Sequence, residues 1–314
     1  VAAYRSGKMP HALIFVGPVG IGKATLAFHI ANYLLKYPRS EASPETLASP
    51  DPASPLFRQI AQGAHPSVLH LTRPYNEKTK TYKSVVTVDE IRKVSGFLSL
   101  TSHDGGYRVV IVDPADDMNT SAANALLKNL EEPPARTLFI LVVHAPGSLL
   151  PTIRSRCQIV RLAPLDTGDL AGVLGSMELE AADPSALASL AERAGGSVRN
   201  AILLTQYGGL EIADALDTLV RSRRANTGEA HRLADAVAGR DRAIPFDIFN
   251  RRALDLLSSS ASEAALAGDL GRAKALTDTW QNARDAIIET ETYNLDKKQH
   301  ALTMIDRLNS ALRM

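Results

Sequence analysis

A parallel α/β sheet covered by helices on both faces, continuing into two helical domains, is the architecture that this 314-residue sequence predicts. Three observations point to it. A glycine-rich loop, Gly17-Pro-Val-Gly-Ile-Gly-Lys23, is entered by a short apolar run and left by a helical one. Strand-like and helix-like segments then alternate as far as Pro164. After Pro164 the strand pattern stops and helical spacing takes over.

The entering run is Ala12-Leu-Ile-Phe-Val16, and the helix beyond the loop spans about Ala24 to Lys36. Pro38 to Pro55 holds five prolines among Ser, Ala and Glu. Such a segment cannot build a helix or sheet interior, so it reads as an exposed insertion or a disordered loop. Val68–Leu71 is a second strand. Thr87-Val-Asp-Glu90 has the spacing of a capping box, which starts a helix reaching about Ser99. The β-branched run Arg108–Val112 predicts a fully buried strand. A helix follows over Asn119–Glu132, stopped by Pro133-Pro134. Thr137–Val143 is a further buried strand and Gln158–Leu162 a final one. Short helices are predicted over Asp166–Leu174, Pro184–Ala194 and Ser197–Gln206. From about Leu210 the chain is helical to its end, with Ile248, Leu254, Leu256 and Leu257 at helical spacing. The expected division is a core over 1–164, a small helical lid domain over 165–208 and an all-α domain over 209–314.

Charge and cysteine content narrow the function. There are 35 Lys+Arg against 34 Asp+Glu, a net +1, so nucleic acid would have to be met by a local patch rather than a global field. Cys157 is the single cysteine, which excludes an internal disulfide framework and a cysteine-cluster metal site. The longest apolar run, Leu138–Val143, is strand-sized, far from the ~18 residues of a membrane helix. No signal-peptide pattern is present, and Val1 reads as part of a helix already under way, so residues are expected to precede it.

The loop carries phosphate chemistry with parts missing. Gly17, Gly20 and Gly22 let backbone N–H groups point inward at the start of a helix, and Lys23 would neutralise β- and γ-phosphate charge. Next comes Ala24, where a Ser or Thr hydroxyl would hold Mg²⁺; Thr25 sits roughly 100° further round the helix. Asp113 ends a strand expected to lie beside the loop strand, where an acid supports the metal, although a plain strand-end cap is the alternative. Pro114 follows it, where a hydrolase of this design needs a water-activating Glu. Asp116 and Asp117 are expected to point elsewhere. Val143 cannot sense a phosphate, and His144 reads either as a sensor or as an exposed loop histidine.

Asn124-Ala-Leu-Leu-Lys-Asn-Leu-Glu-Glu-Pro-Pro134, Ser155-Arg-Cys157 and the glycine loop, in this order and spacing, resemble the AAA+ clamp-loader subunits of bacterial DNA polymerase III. The resemblance covers about residues 4 to 162. The missing Glu after Asp113 is similar to the family's non-motor members rather than to the gamma/tau motor. It implies an AAA+ core, a lid and a C-terminal collar that closes a ring of subunits. Arg156 would be an arginine finger, reaching in trans to the γ-phosphate held by a neighbouring motor subunit; a solvated Arg is the alternative. Arg199, in Gly195-Gly-Ser-Val-Arg199, matches a second-domain sensor arginine, which either meets nucleotide or only ties two domains together. Many relatives bind zinc through four cysteines before the element His65-Pro66; the Pro/Ser/Ala stretch here has none, so zinc is not expected. Trp280 and Tyr293 are interface anchors for the collar or fill their own bundle core.

The function so implied is an ATPase-inactive scaffold, not an enzyme on its own. It acts in the cytoplasm with the gamma/tau motor and the delta subunit to load the sliding clamp on primed DNA. Two alternatives stay open: an active AAA+ motor, and a switch that binds ATP without hydrolysing it.

Overall fold

The computed structural model describes residues 1–77, 81–83, 85–99, 105–145, 147, 149–177, 184–222, 227–239 and 241–313. The chain divides into two compact units, Val1–Glu178 with Gly195–Val198, and Leu179–Ala194 with Arg199–Met314. The segment 165–208, expected as a domain of its own, is therefore shared between them.

The first unit runs α1 (Ala2–Arg5), β1 (Ala12–Val16), α2 (Lys23–Lys36), α3 (Pro55–Ala61), β2 (Val68–Leu71), β3 (Tyr75–Asn76), β4 (Thr81–Tyr82), α4 (Val88–Ser99), β5 (Arg108–Val112), α5 (Thr120–Glu131), β6 (Thr137–Val143), α6 (Pro151–Arg154), β7 (Gln158–Arg161) and α7 (Thr167–Ser176). Five strands form one parallel sheet in the order β2–β5–β6–β1–β7. Side chains alternate across it, as a pleated strand requires. Leu13, Phe15, Val109, Ile111, Leu138 and Ile140 pack with Ala27, Ala31 and Leu34 of α2. Ile14, Val110, Val112, Phe139 and Leu141 face the other way, onto Ile91 and Val94 of α4 and Leu126 and Leu130 of α5. Burial on both faces explains why β5 and β6, after their first residues Arg108 and Thr137, are continuously apolar instead of alternating.

The structure corrects one expectation about strand order. β5 does not lie beside the loop strand β1, because β6 stands between them and pairs with both. Asp113 therefore reaches the phosphate loop from two strands away.

The proline-rich insertion is not disordered. It contains a single 3₁₀ turn at Ser40–Ala42, buries Ser43, and accepts a hydrogen bond from the Tyr33 hydroxyl at the Pro44 carbonyl. Near its end Ser54 caps α3 through the Phe57 N–H at 3.2 Å. Periodicity missed α3, α6 and the β3–β4 hairpin, each too short to establish a pattern.

The second unit is helical: α8 (Pro184–Arg193), α9 (Val198–Gln206), α10 (Gly209–Arg221), α11 (Thr227–Ala238), α12 (Ala243–Leu266), α13 (Leu270–Thr292) and α14 (Lys297–Leu312). Leu216, Val237, Phe246, Phe249, Leu257, Leu276 and Leu308 form its core. Asp269 and Asp296 cap α13 and α14 by accepting the Arg272 and Gln299 N–H groups. Trp280 packs partly buried against this core, whereas Tyr293 is 72% exposed and fills no part of it.

Candidate functional site

The phosphate loop follows β1 directly and ends at the first residue of α2. Gly17 is required by close approach: a Cβ there would lie 2.4 Å from the Leu162 carbonyl oxygen and 2.8 Å from Ile21 Cδ1. Gly22 has φ +94°, outside what a side chain tolerates, and turns the chain into the helix; Gly20 is also left-handed at +82°. Lys23 is buried at 3% exposure, with Nζ donating to the carbonyls of Gly17 at 2.6 Å and Pro18 at 2.5 Å. Burial lowers its pKa, and the charges of Asp113 and Asp116 oppose that shift. Ala24 presents no oxygen, and Thr25 is exposed.

Beside Lys23 is a cluster of acids and histidines at the ends of β2, β5 and β6. Burial raises the pKa of Asp113, while His70, His144 and Lys23 hold it back. The backbone N–H of Asp113 is spent on the Leu71 carbonyl at 2.9 Å. Asp116 was expected to point away, but its Oδ2 accepts N–H bonds from His144 and Ala145, both 3.0 Å, and its Oδ1 lies 3.3 Å from His144 Nδ1. Burial pushes this carboxyl up, but those bonds outweigh it and hold the pKa below the ordinary value. His144 is consequently a fixed, half-buried residue and not an exposed loop histidine. Asp117, raised by burial, pairs with Arg73 at 3.4 Å.

A residue that sequence reasoning passed over closes the loop from outside. Ser197 is 3% exposed and donates from Oγ to the Val19 carbonyl at 3.1 Å. The Leu165 N–H donates to Gly196 at 3.1 Å, so the Gly195–Val198 turn is built into the first unit. The glycine doublet at 195–196 was the available signal, since such a turn buries its neighbour.

The other candidate arginines have partners of their own. Arg156, just before β7, is 36% exposed; its guanidinium donates to the Thr152 carbonyl at 2.9 Å and pairs with Glu131 at 2.8 Å. Glu131 comes from the run 124–134, so both halves of the sequence signature meet here. Cys157 packs half-buried against the α4/α5 side of the core, and burial raises its thiol pKa to about 11. Arg199 belongs to the second unit, where it lies 3.7 Å from Asp247, a carboxylate that also binds Arg251. Burial, then Arg251, lowers the Arg199 pKa.

A phosphate loop between β1 and α2 of a parallel β2–β5–β6–β1–β7 sheet, with a helical C-terminal part, defines an AAA+ P-loop protein. The family described as "DNA polymerase III, delta subunit" matches residues 1–166, and the chain belongs to that family. The chain is 40% identical over 147 residues to the DNA polymerase III subunit delta' of Pseudomonas aeruginosa, covering 47% of this chain and 41% of the relative. To the delta' subunit of Escherichia coli it is 35% identical over 165 residues, 52% and 46% of the two chains. To the E. coli tau subunit it is 30% identical over 202 residues, 63% and 29% of the chains. It thus spans under half the length of these curated relatives. A solved DNA polymerase III gamma subunit-related protein of Thermotoga maritima covers 99% of this chain and 98% of its own at 18% identity and a TM-score of 0.45, too loose for any residue to be carried across.

Proposed function

We propose that the chain is a non-hydrolysing scaffold subunit of the DNA polymerase III clamp loader, acting as delta-prime does, and that Arg156 serves a neighbouring motor subunit in trans. The observation that carries the first half is Pro114. It occupies the place after Asp113 where a carboxylate would activate water, and Ala24 leaves no hydroxyl for Mg²⁺. The loop itself fits a phosphate group: its glycines allow inward N–H donors, and the Lys23 ammonium lies among them. ATP bound there would supply charge for Gly20, Gly22 and Lys23 to hold; Asp113 would lie near it without a partner for hydrolysis.

Support for the second half is the exposure of Arg156 and its anchoring. Thr152 and Glu131 hold the side chain at the surface, and a guanidinium supplied there would neutralise charge developing in a neighbour's phosphoryl transfer, worth roughly 10³–10⁵ in rate. The partners on this reading are the gamma/tau motor and delta, and through the assembly the sliding clamp and primed DNA; the compartment is the cytoplasm. Among the described residues no helix is long and apolar enough to cross a membrane. The test is the DNA-stimulated ATPase rate of the reconstituted loader with Arg156→Ala. A fall of orders of magnitude with intact assembly is expected; unchanged turnover would reduce Arg156 to a surface residue.

The second reading, a switch that binds ATP and keeps it, rests on the complete glycine loop with Lys23 at its end; the ammonium would exchange its bonds to the Gly17 and Pro18 carbonyls for the phosphates. Nucleotide affinity of the native chain against Lys23→Ala separates it from a purely structural loop.

A further inference from the structure

Between β2 and α4 the chain makes a two-stranded antiparallel hairpin, β3 against β4, that takes no part in the phosphate-loop chemistry. Tyr75 and Tyr82 are directly paired in its register, and their rings meet edge to face at 5.1 Å. They are 52% and 62% exposed and belong to none of the buried clusters. A cross-strand aromatic pair stabilises a bare hairpin, which accounts for the rings touching each other. It does not account for the charge of the segment's sequence. Residues 73–83 carry Arg73, Lys78, Lys80 and Lys83 against Glu77 alone, four cations to one acid in a chain of net +1. Lys83 is exposed, and its N–H donates to the Pro74 carbonyl at 2.8 Å, which places it at the foot of the tyrosine pair. Arg73 is tied to Asp117 at 3.4 Å, which fixes the hairpin to the loop after β5. Because the sheet is parallel, the hairpin leaves from the same strand-end edge that carries the phosphate loop.

We propose that this hairpin binds single-stranded nucleic acid, with a base stacked on the Tyr75–Tyr82 pair and Lys83 against a backbone phosphate. Exposed π-faces with the exposed Lys83 at their foot, in a segment whose sequence is rich in cations, match a ligand that has planar bases and a phosphodiester together. An acidic peptide would answer the cations but leave the ring faces uncovered. That the nucleic acid is DNA rests on the clamp-loader reading; the affinity for a single strand does not.

The test is fluorescence anisotropy with a labelled 20-nucleotide oligo-dT and a duplex of equal length, titrated with the full chain and with the reconstituted complex. Tyr75→Ala/Tyr82→Ala should weaken single-strand binding by about 5–150-fold per stacked base, with Tyr75→Phe/Tyr82→Phe close to native. Lys83→Glu should weaken it too and reduce the salt slope by about 0.7. The proposal is overturned if neither chain nor complex binds oligo-dT, or if the alanine pair binds it as the native chain does. It is equally overturned if duplex binding alone changes, or if subunit assembly falls while DNA affinity holds, the mark of a protein contact. Should the alanine pair misfold, the phenylalanine pair and Lys83→Glu decide. Arg156→Ala turnover is read separately, so failure of the hairpin and failure of the scaffold reading are distinguishable.

Discussion

Replacing Gly196 by alanine separates two energies that its neighbour Gly195 allows to be compared. Both residues are left-handed, at φ +75° and +59°, so alanine at either costs about 1–2 kcal/mol of backbone strain. At 195 a Cβ meets nothing within 4 Å. At 196 it would lie 2.5 Å from both the Leu165 carbonyl oxygen and Pro164 Cβ, and 2.8 Å from the Leu165 nitrogen. Two of these three atoms are backbone and cannot swing away, so relief requires the Pro164–Leu165 segment to shift, at a further ~1–3 kcal/mol. Gly196→Ala should therefore destabilise by roughly 2–5 kcal/mol and Gly195→Ala by about 1–2 kcal/mol. Urea unfolding followed by circular dichroism measures both. Hydrogen exchange at the Leu165 amide, which donates to Gly196, should speed up more in the first variant. Equal costs for the two substitutions would refute the close-packing account and leave strain alone.

Other outcomes follow from the electrostatics. Burial, and then Arg307, lower the His300 pKa to about 4, while an unfolded chain keeps it near ~6.5. Between those values the unfolded state binds more protons, so stability should fall as pH drops from about 6.5 toward 4 and flatten below it. His300→Gln should lose that part of the slope in a pH series of denaturation midpoints. The Cys157 thiol, at about 11, should alkylate with iodoacetamide at pH 8 far more slowly in the folded chain than in urea, and as the single cysteine it gives a clean mass readout. Asp116→Ala removes the acceptor of two N–H groups and the anchor of His144, so a loss of about 1–3 kcal/mol is expected from chemical denaturation.

The sheet was legible because its strands are buried on both faces: β5 and β6 leave an apolar signature that no exposed segment imitates. The helix after Lys23 and the one ended by Pro133 were equally plain, from a glycine start and a proline stop. Strand order was not, since nothing in the run 108–113 says which neighbour it pairs with, and β6 proved to stand between it and β1. The strands of the hairpin around Tyr75 and the turn of α6 span barely one period of their patterns, too little to repeat. At the site, the charges of Lys23 and Asp113 act on each other, although the strand order expected between them does not hold. Asp116 and Ser197 did not announce themselves, because their partners are backbone groups, and backbone geometry is invisible in a string of side chains. Tyr293 could be read as core or surface from helical spacing alone; only packing decided it.

The main chain passes from one compact unit to the other at 178–179, at 194–195 and again at 198–199. Neither unit is therefore a continuous stretch of sequence, and no single cut yields one of them whole. A fragment ending near residue 178 would lack Ser197, which donates to Val19, and Gly196, which packs on Leu165. A piece of the gene that keeps the entire phosphate loop can thus still encode an incomplete version of it, so shuffling this module between proteins has to carry residues 195–198 along with the first 178.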